Sequence, residues 1–448
     1  MKKSNKFFYI NIILIMLVVL GGCSKADDEV VMNEQVVTTE AVETDTLPEE
    51  TETQIEQTAT TEVPEEDEVI RDIYINTISE EAKGKAKTFP DVSGELPDWK
   101  GTHIVDKAEF AWSWVIVETN PENVTPEHLI ITEYDEDTVL ELAETGYNFA
   151  RVSVDTRYFF TEDGFLSPEY AGQDFYGSID TVNLNQYENL DRLIEWCIEN
   201  DIHVCLDCHS TVGGLMIGGD EEATREKLFT PDSDEQKLFV QFWQTIAKRY
   251  ADIDTNALSF NLYNEPPNFV TDNEEVYIDL MNKAIDEIQV ITPNRLIVVD
   301  ALGYSTIGME KVSELKANNL VIGFHMYVNE TTWTEPGAVL DIEACRTESS
   351  DRLNYYNSWA EENNVRWMLQ EYGCSTYIPQ EQQMEYYKMV TETCKSMGTP
   401  YCLWAFNAGD FGLCIWAEDD KFLTPGASYD ETCAGHRINT ELAKITTE

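Results

Sequence analysis

ALSFNLYNEPP, residues 257–267, runs as a short apolar strand, then sets Asn264 and Glu265 side by side before two prolines that stop any regular element. Six other stretches share this design of an apolar run rich in Val, Ile, Phe and Tyr that turns polar at its end: NFARVSVD (148–155), IHVCLDCH (202–209), RLIVVDA (295–301), LVIGFHMY (320–327), VRWMLQEYG (365–373) and YCLWAFN (401–407). An earlier strand, expected at roughly 109–117, brings the number to eight.

Amphipathic segments separate the strands. Leu190, Leu193, Ile194 and Cys197 share one helical face, Phe239, Phe242, Trp243 and Ile246 a second, and Tyr277, Leu280, Met281, Ala284 and Ile288 a third. Strands alternating with helices over a segment this long predict an α/β fold, a (β/α)8 TIM barrel with enlarged βα loops. No Gly-rich dinucleotide turn follows the first strand, which argues against an open doubly wound sheet.

The strand ends carry Arg151, Asp155, His209, Asn264, Glu265, His325, Tyr327, Glu371 and Trp404, where barrel enzymes place their chemistry. Glu265 and Glu371 stand out, because each follows a hydrophobic run and precedes a strand-ending Pro or Tyr-Gly. Strict alternation puts Glu371 on one face with Leu369 and Trp367, and His325 with Tyr327 and Gly323. The CxxC at Cys205 and Cys208 points its sulfurs to opposite faces of a strand, which suits neither a metal site nor a redox pair.

NEP after the fourth strand, HMY after the sixth, QEYG after the seventh and LW after the eighth resemble glycoside hydrolase family 5, a cellulase family. The likeness extends over about residues 90–448, with Arg151 in FARVSVD and His209 in CLDCHS at that family's arginine and histidine positions. It implies a retaining β-glycosidase, an endo-acting hydrolase of β-1,4-glucan, with Glu265 as acid/base and Glu371 as nucleophile. Glu265 is then expected to hold its proton through an apolar wall and repulsion from Glu371. Arg151 and Tyr327 are expected to keep Glu371 ionised, Asn264 to hold the sugar 2-hydroxyl, His209 and His325 to bond hydroxyls or the carboxylates, and Trp404 to stack on a sugar ring. Trp112, Trp114, Trp333 and Trp416 are further aromatic candidates, with core packing an equal alternative.

The resemblance implies no cofactor and no metal. Activity on β-mannan, on xyloglucan or as an exo-β-1,3-glucanase stays open, as does a silent glycan-binding surface protein. Two departures stand out: Ser210 replaces a second histidine, and a long segment follows the eighth strand.

Composition bounds the partners. The chain has 448 residues and a formal charge of −54; the 16 acids of residues 27–70 and the lysines at positions 2, 3, 6 and 25 leave −42 on residues 71–448. So acidic a domain repels phosphates, which excludes nucleic acid and permits a neutral β-linked polysaccharide or oligosaccharide.

Residues 1–22 begin Lys-rich, continue through an apolar run and end in Gly-Gly before Cys23, a bacterial export signal with a lipobox-like end. Lipidation of Cys23 would tether a cell-surface, extracytoplasmic lipoprotein to the membrane. Residues 23–70 form an acidic, Thr/Glu-rich tether expected to stay extended, and residues 71–448 form the catalytic domain, expected to act as a monomer. A solute-binding lipoprotein shares the leader and tether but needs two open-sheet lobes.

Overall fold

A computed structural model describes residues 73–104, 134–160, 184–211, 213, 225–328, 331, 337–407, 411–416 and 422–448. The leader, Cys23, the tether, Trp112, Trp114, Trp333 and the strand expected at 109–117 lie outside them.

Eight parallel strands close a barrel in chain order: β1 (Lys100–Ile104), β2 (Phe149–Asp155), β3 (His203–Ser210), β4 (Leu258–Asn261), β5 (Ile297–Asp300), β6 (Leu320–Met326), β7 (Trp367–Tyr372) and β8 (Tyr401–Leu403). The sequence misplaced the first of them. KGTHI closes the ring, pairing Gly101 with Phe149 on one side and Thr102 with Leu403 on the other. Its inward positions are glycine and histidine, so it shows none of the apolar signal by which the other strands are found.

The expected helices form as α1 (Leu184–Glu199), α2 (Asp234–Arg249) and α3 (Glu274–Ile291), and the apolar faces read from their spacing are buried. Ser233 caps α2 by accepting from the Gln236 amide at 3.2 Å, while Lys248 and Arg249 sit in its last turn, where the helix dipole favours cations. Between β6 and β7 runs α4 (Ile342–Asn363), and between β7 and β8 α5 (Gln380–Met397).

Period-two alternation divides each strand between two environments. In β2, Ala150, Val152 and Val154 pack outward against the helices, whereas Phe149 and Arg151 point inward. The lower interior is apolar, built from Phe149, Cys205, Leu296, Val298, Val321, Met368 and Cys402. Cys205 therefore lies inside the barrel and Cys208 in the outer core, on opposite faces of β3. The nine cysteines of the described residues are thiols, none joined in a disulfide.

The segment after β8 adds a small antiparallel sheet of β9 (Cys414–Trp416), β10 (Asp430–Glu431) and β11 (His436–Ile438). Among the described residues no helix is long and apolar enough to cross a membrane.

Candidate active site

Above the apolar floor the interior turns polar, and Arg151 is its centre. It is fully buried, and its guanidinium donates to Asn261 Oδ1 (Nε, 3.0 Å), Asp207 Oδ1 (3.0 Å), Asn264 Oδ1 (2.8 Å), His103 Nε2 (2.9 Å) and Glu371 Oε1. Burial alone would lower its pKa, but Asp207, Glu371 and Asp300 outweigh that cost and push it upward, so it is a permanent cation.

Glu371 reaches this cation because β7 carries an extra residue. Phe324 pairs with Leu369 but His325 pairs with Glu371, so Gln370 is skipped in the ladder. Strict alternation had put Glu371 with Leu369 and Trp367; those two pack in the outer core, while Gln370 and Glu371 both face inward, onto Asn261 and Arg151. Inward-facing Gln370 needs the missing side chain of Gly323, since a Cβ there would overlap its amide.

The second oxygen of Glu371 accepts from the Tyr327 hydroxyl at 3.0 Å. Burial raises the Glu371 pKa, and the charges of His325 and Arg151 oppose that rise. Burial, then Glu371 itself, holds the Tyr327 phenol well above its ordinary range, so it remains a donor.

The chain after β4 behaves differently from the expected long strand. Regular pairing stops at Asn261, yet Leu262 N–H still donates to Val298 O at 3.1 Å and Asn264 N–H to Cys208 O at 3.0 Å. Glu265 then adopts a left-handed φ of 47°, unfavourable for a residue with a Cβ, and its amide donates to Asp300 Oδ2 at 3.0 Å. This turn aims the Glu265 carboxylate at His325 Nδ1, 2.8 Å away.

His325 also lies 3.4 Å from Glu371 Oε2, so one imidazole spans both carboxylates. Burial would lower its pKa, but Glu371, Asp300 and Glu265 together raise it. The closest ligand oxygens of Glu265 and Glu371 stand within 4.8 Å of each other.

On the other wall His209 donates through Nδ1 to Asp207 Oδ2 at 2.8 Å and stacks on Trp404, ring centroids 5.2 Å apart. Gly373 makes room for Trp404, because a Cβ there would lie 2.5 Å from the Trp404 carbonyl oxygen. Arg151, His209, Asn264, Glu265, His325, Tyr327, Glu371 and Trp404 thus converge on one mouth; Asp155 sits at the end of β2, opposite Ser210.

Sequence reading missed His103, Asp207, Asn261, Asp300 and Gln370. His103 is buried, 3.6 Å from Glu371 Oε1 and edge-on to Trp404, and burial together with Arg151 holds its pKa well below the ordinary value, so it is neutral. The signal for Asp207, Asn261 and Asp300 was available: each stands two positions from another inward residue of its strand.

Two groups, His103–His209–Glu371 and Glu265–His325–Glu371, have the spacing of metal ligands. Both share Glu371, whose oxygens already meet a guanidinium and a phenol, so the donors are arranged as a hydrogen-bonded acid–base set.

A family model described as cellulase (glycosyl hydrolase family 5) matches residues 106–410. The chain belongs to this family. It is a glycoside hydrolase. Cellodextrinase A of Ruminococcus flavefaciens is 24% identical over 282 residues, 59% of this chain and 75% of that protein. Endoglucanase C of Acetivibrio thermocellus is 24% identical over 198 residues, 44% of this chain and half of that relative. Among solved structures an endoglucanase superposes with a TM-score of 0.56 at 18% identity, covering 82% of this chain and 99% of the other, a likeness of fold.

Proposed function

We propose that the family 5 domain is a retaining endo-β-1,4-glucanase acting by double displacement. One observation carries this reading: two carboxylates face each other across the mouth with their nearest oxygens within 4.8 Å, each held by different partners. Retaining enzymes keep their carboxyls roughly 5–5.5 Å apart, whereas inverting enzymes leave roughly 6.5–9.5 Å for a water.

The partners distinguish the roles. Glu371, gripped by Arg151 and Tyr327, is stabilised as the anion and is the nucleophile. An oxygen of Glu371 bonds to the anomeric carbon as the glycosidic C–O bond breaks, and Glu265 gives its proton to the leaving oxygen. Glu265 then takes a proton from water, whose oxygen displaces Glu371 from the sugar.

Asn264 presents its oxygen to Arg151 and one amide N–H to His209 Nε2 at 3.5 Å, which leaves the other N–H for the sugar 2-hydroxyl. Trp404, backed by His209, is a flat face for a sugar ring. The names of the relatives, cellodextrinase and endoglucanase, favour β-1,4-glucan.

Reducing sugar released from carboxymethyl cellulose, mannan, xyloglucan and laminarin tests the substrate. Release is expected to be greatest from carboxymethyl cellulose and to vanish in Glu371→Gln. Full activity in that variant would remove Glu371 as nucleophile, and silence of the native protein on all four polymers would support a binding function.

Cys23 is proposed as the lipidated residue that anchors the enzyme outside the cytoplasm, on the strength of its position after an apolar, Gly-Gly-ended leader. Cys23→Ala should release the protein from membranes; retention would overturn lipidation as the anchor.

A further inference from the structure

Asp300 ends β5 and is fully buried, yet five groups meet its carboxylate, among them Arg151 Nη2 at 3.7 Å from Oδ2. Oδ2 accepts from the Glu265 amide at 3.0 Å and from the Ser305 hydroxyl at 2.8 Å, and lies 3.3 Å from His325 Nε2. Oδ1 accepts from Asn261 Nδ2 at 2.9 Å, and Asn261 in turn receives Arg151.

Two of these contacts bear on the same side chain from opposite ends. The amide bond fixes the left-handed backbone of Glu265, which would otherwise relax toward ordinary φ and swing the carboxylate off the mouth. The His325 contact fixes the imidazole whose other nitrogen meets the Glu265 carboxylate at 2.8 Å. His325 Nε2 is buried and forms no hydrogen bond to any described residue, so the Asp300 charge is what compensates it. Ser305 and the neighbouring turn lock the arrangement: Tyr304 N–H donates to Pro266 O at 2.8 Å, tying the β5 loop to the NEPP turn.

We propose that Asp300 is a positioning residue for the proton donor, holding Glu265 at the scissile oxygen through its backbone amide and through His325. This rests on the reading of Glu265 as acid/base. The logic is that of an acid–base residue oriented by a third group, here a buried carboxylate acting through an imidazole and a peptide N–H at once.

The test compares two aryl β-cellobiosides in the full chain, one with a 2,4-dinitrophenolate leaving group that departs with little protonation and one with phenolate, which requires it. Asp300→Asn keeps the shape and removes the charge. It should raise the ratio of kcat/KM for the dinitrophenyl over the phenyl substrate by about tenfold, a fraction of the 10²–10⁴ supplied by general acid catalysis. Because the ratio is taken within one preparation, it does not depend on the folded fraction.

Ser305→Ala, which removes only a hydroxyl from Asp300, should move the ratio in the same direction by less, and carries the test if Asp300→Asn does not fold. Glu265→Ala separates the two claims. If it raises the ratio and neither Asp300→Asn nor Ser305→Ala does, the role of Asp300 is overturned; if Glu265→Ala leaves the ratio unchanged, the reading of Glu265 itself falls.

Discussion

The guanidinium of Arg151 on β2 is bonded to the carboxylate of Glu371 on β7, spanning the barrel interior just above its apolar floor. The same group holds Asp207, Asn261, Asn264 and His103. A lysine supplies the charge but not a planar fork. Arg151→Lys should therefore lower kcat by about 10²–10³, the scale of losing one preorganised electrostatic contact, and destabilise the fold by roughly 3–5 kcal/mol by leaving buried groups unpaired. Steady-state kinetics and urea unfolding read the two effects.

Tyr327 donates to Glu371 as a neutral phenol. Removing one hydrogen bond to a charged group costs roughly 1.5–3 kcal/mol, so Tyr327→Phe should reduce kcat/KM by about 10- to 100-fold. Since the phenol titrates well above its ordinary range, the alkaline limb of the pH profile should stay where it is in the variant.

Gly373→Ala tests the platform. Its new methyl would meet the Trp404 carbonyl at 2.5 Å, forcing the strand-end backbone to shift and tilting the indole away from His209. Weaker sugar stacking should raise KM on soluble β-glucan severalfold, with a smaller change in kcat.

His203, at the floor, bonds Asn256 O through Nδ1 and Ser259 Oγ through Nε2, both at 2.8 Å, the pattern of a neutral ring. Burial lowers its pKa from 6.5 to about 3. In that window the unfolded chain binds a proton that the folded one refuses. The stability is complete above pH 6.5 and is lost as pH falls toward about 3. Between pH 7 and pH 4 the loss from this residue is roughly 3 kcal/mol. Urea unfolding at both pH values should show a difference smaller by about that amount in His203→Gln; an unchanged difference would exclude the assignment.

Asp191 on α1 accepts from Arg249 Nε (2.8 Å) and Nη2 (2.6 Å), from Tyr250 Oη (2.9 Å) and from the Thr77 amide (2.7 Å). Arg249 also donates to Ile73 O at 2.8 Å, so this buried pair fastens the start of the described chain to two helices. Asp191→Ala should cost roughly 3–5 kcal/mol in chemical unfolding while leaving kcat of the folded fraction unchanged.

What could be read in advance follows from periodicity. Seven strands and three helices were legible because their outward faces are uniformly apolar, and Glu265 and Glu371 were legible because a carboxylate at the end of such a run has no packing reason to be there. β1 was not, since KGTHI turns Gly101 and His103 inward. Asp207, Asn261, Asp300 and Gln370 went unread for another reason: alternation places the first three on the inner face, but only the closed ring shows that the upper interior is polar and that these groups satisfy one another there.

The sequence by itself therefore determined the barrel, its polar mouth and the two carboxylates, because those depend on local alternation and on which residue ends each strand. Tertiary structure alone decided how the carboxylates are aimed. One extra residue in β7 turns Glu371 inward against the alternation, and the Asp300 carboxylate, brought over from the next strand, holds Glu265 in a left-handed turn. Both depend on register and on contacts between strands, which no single stretch of chain contains.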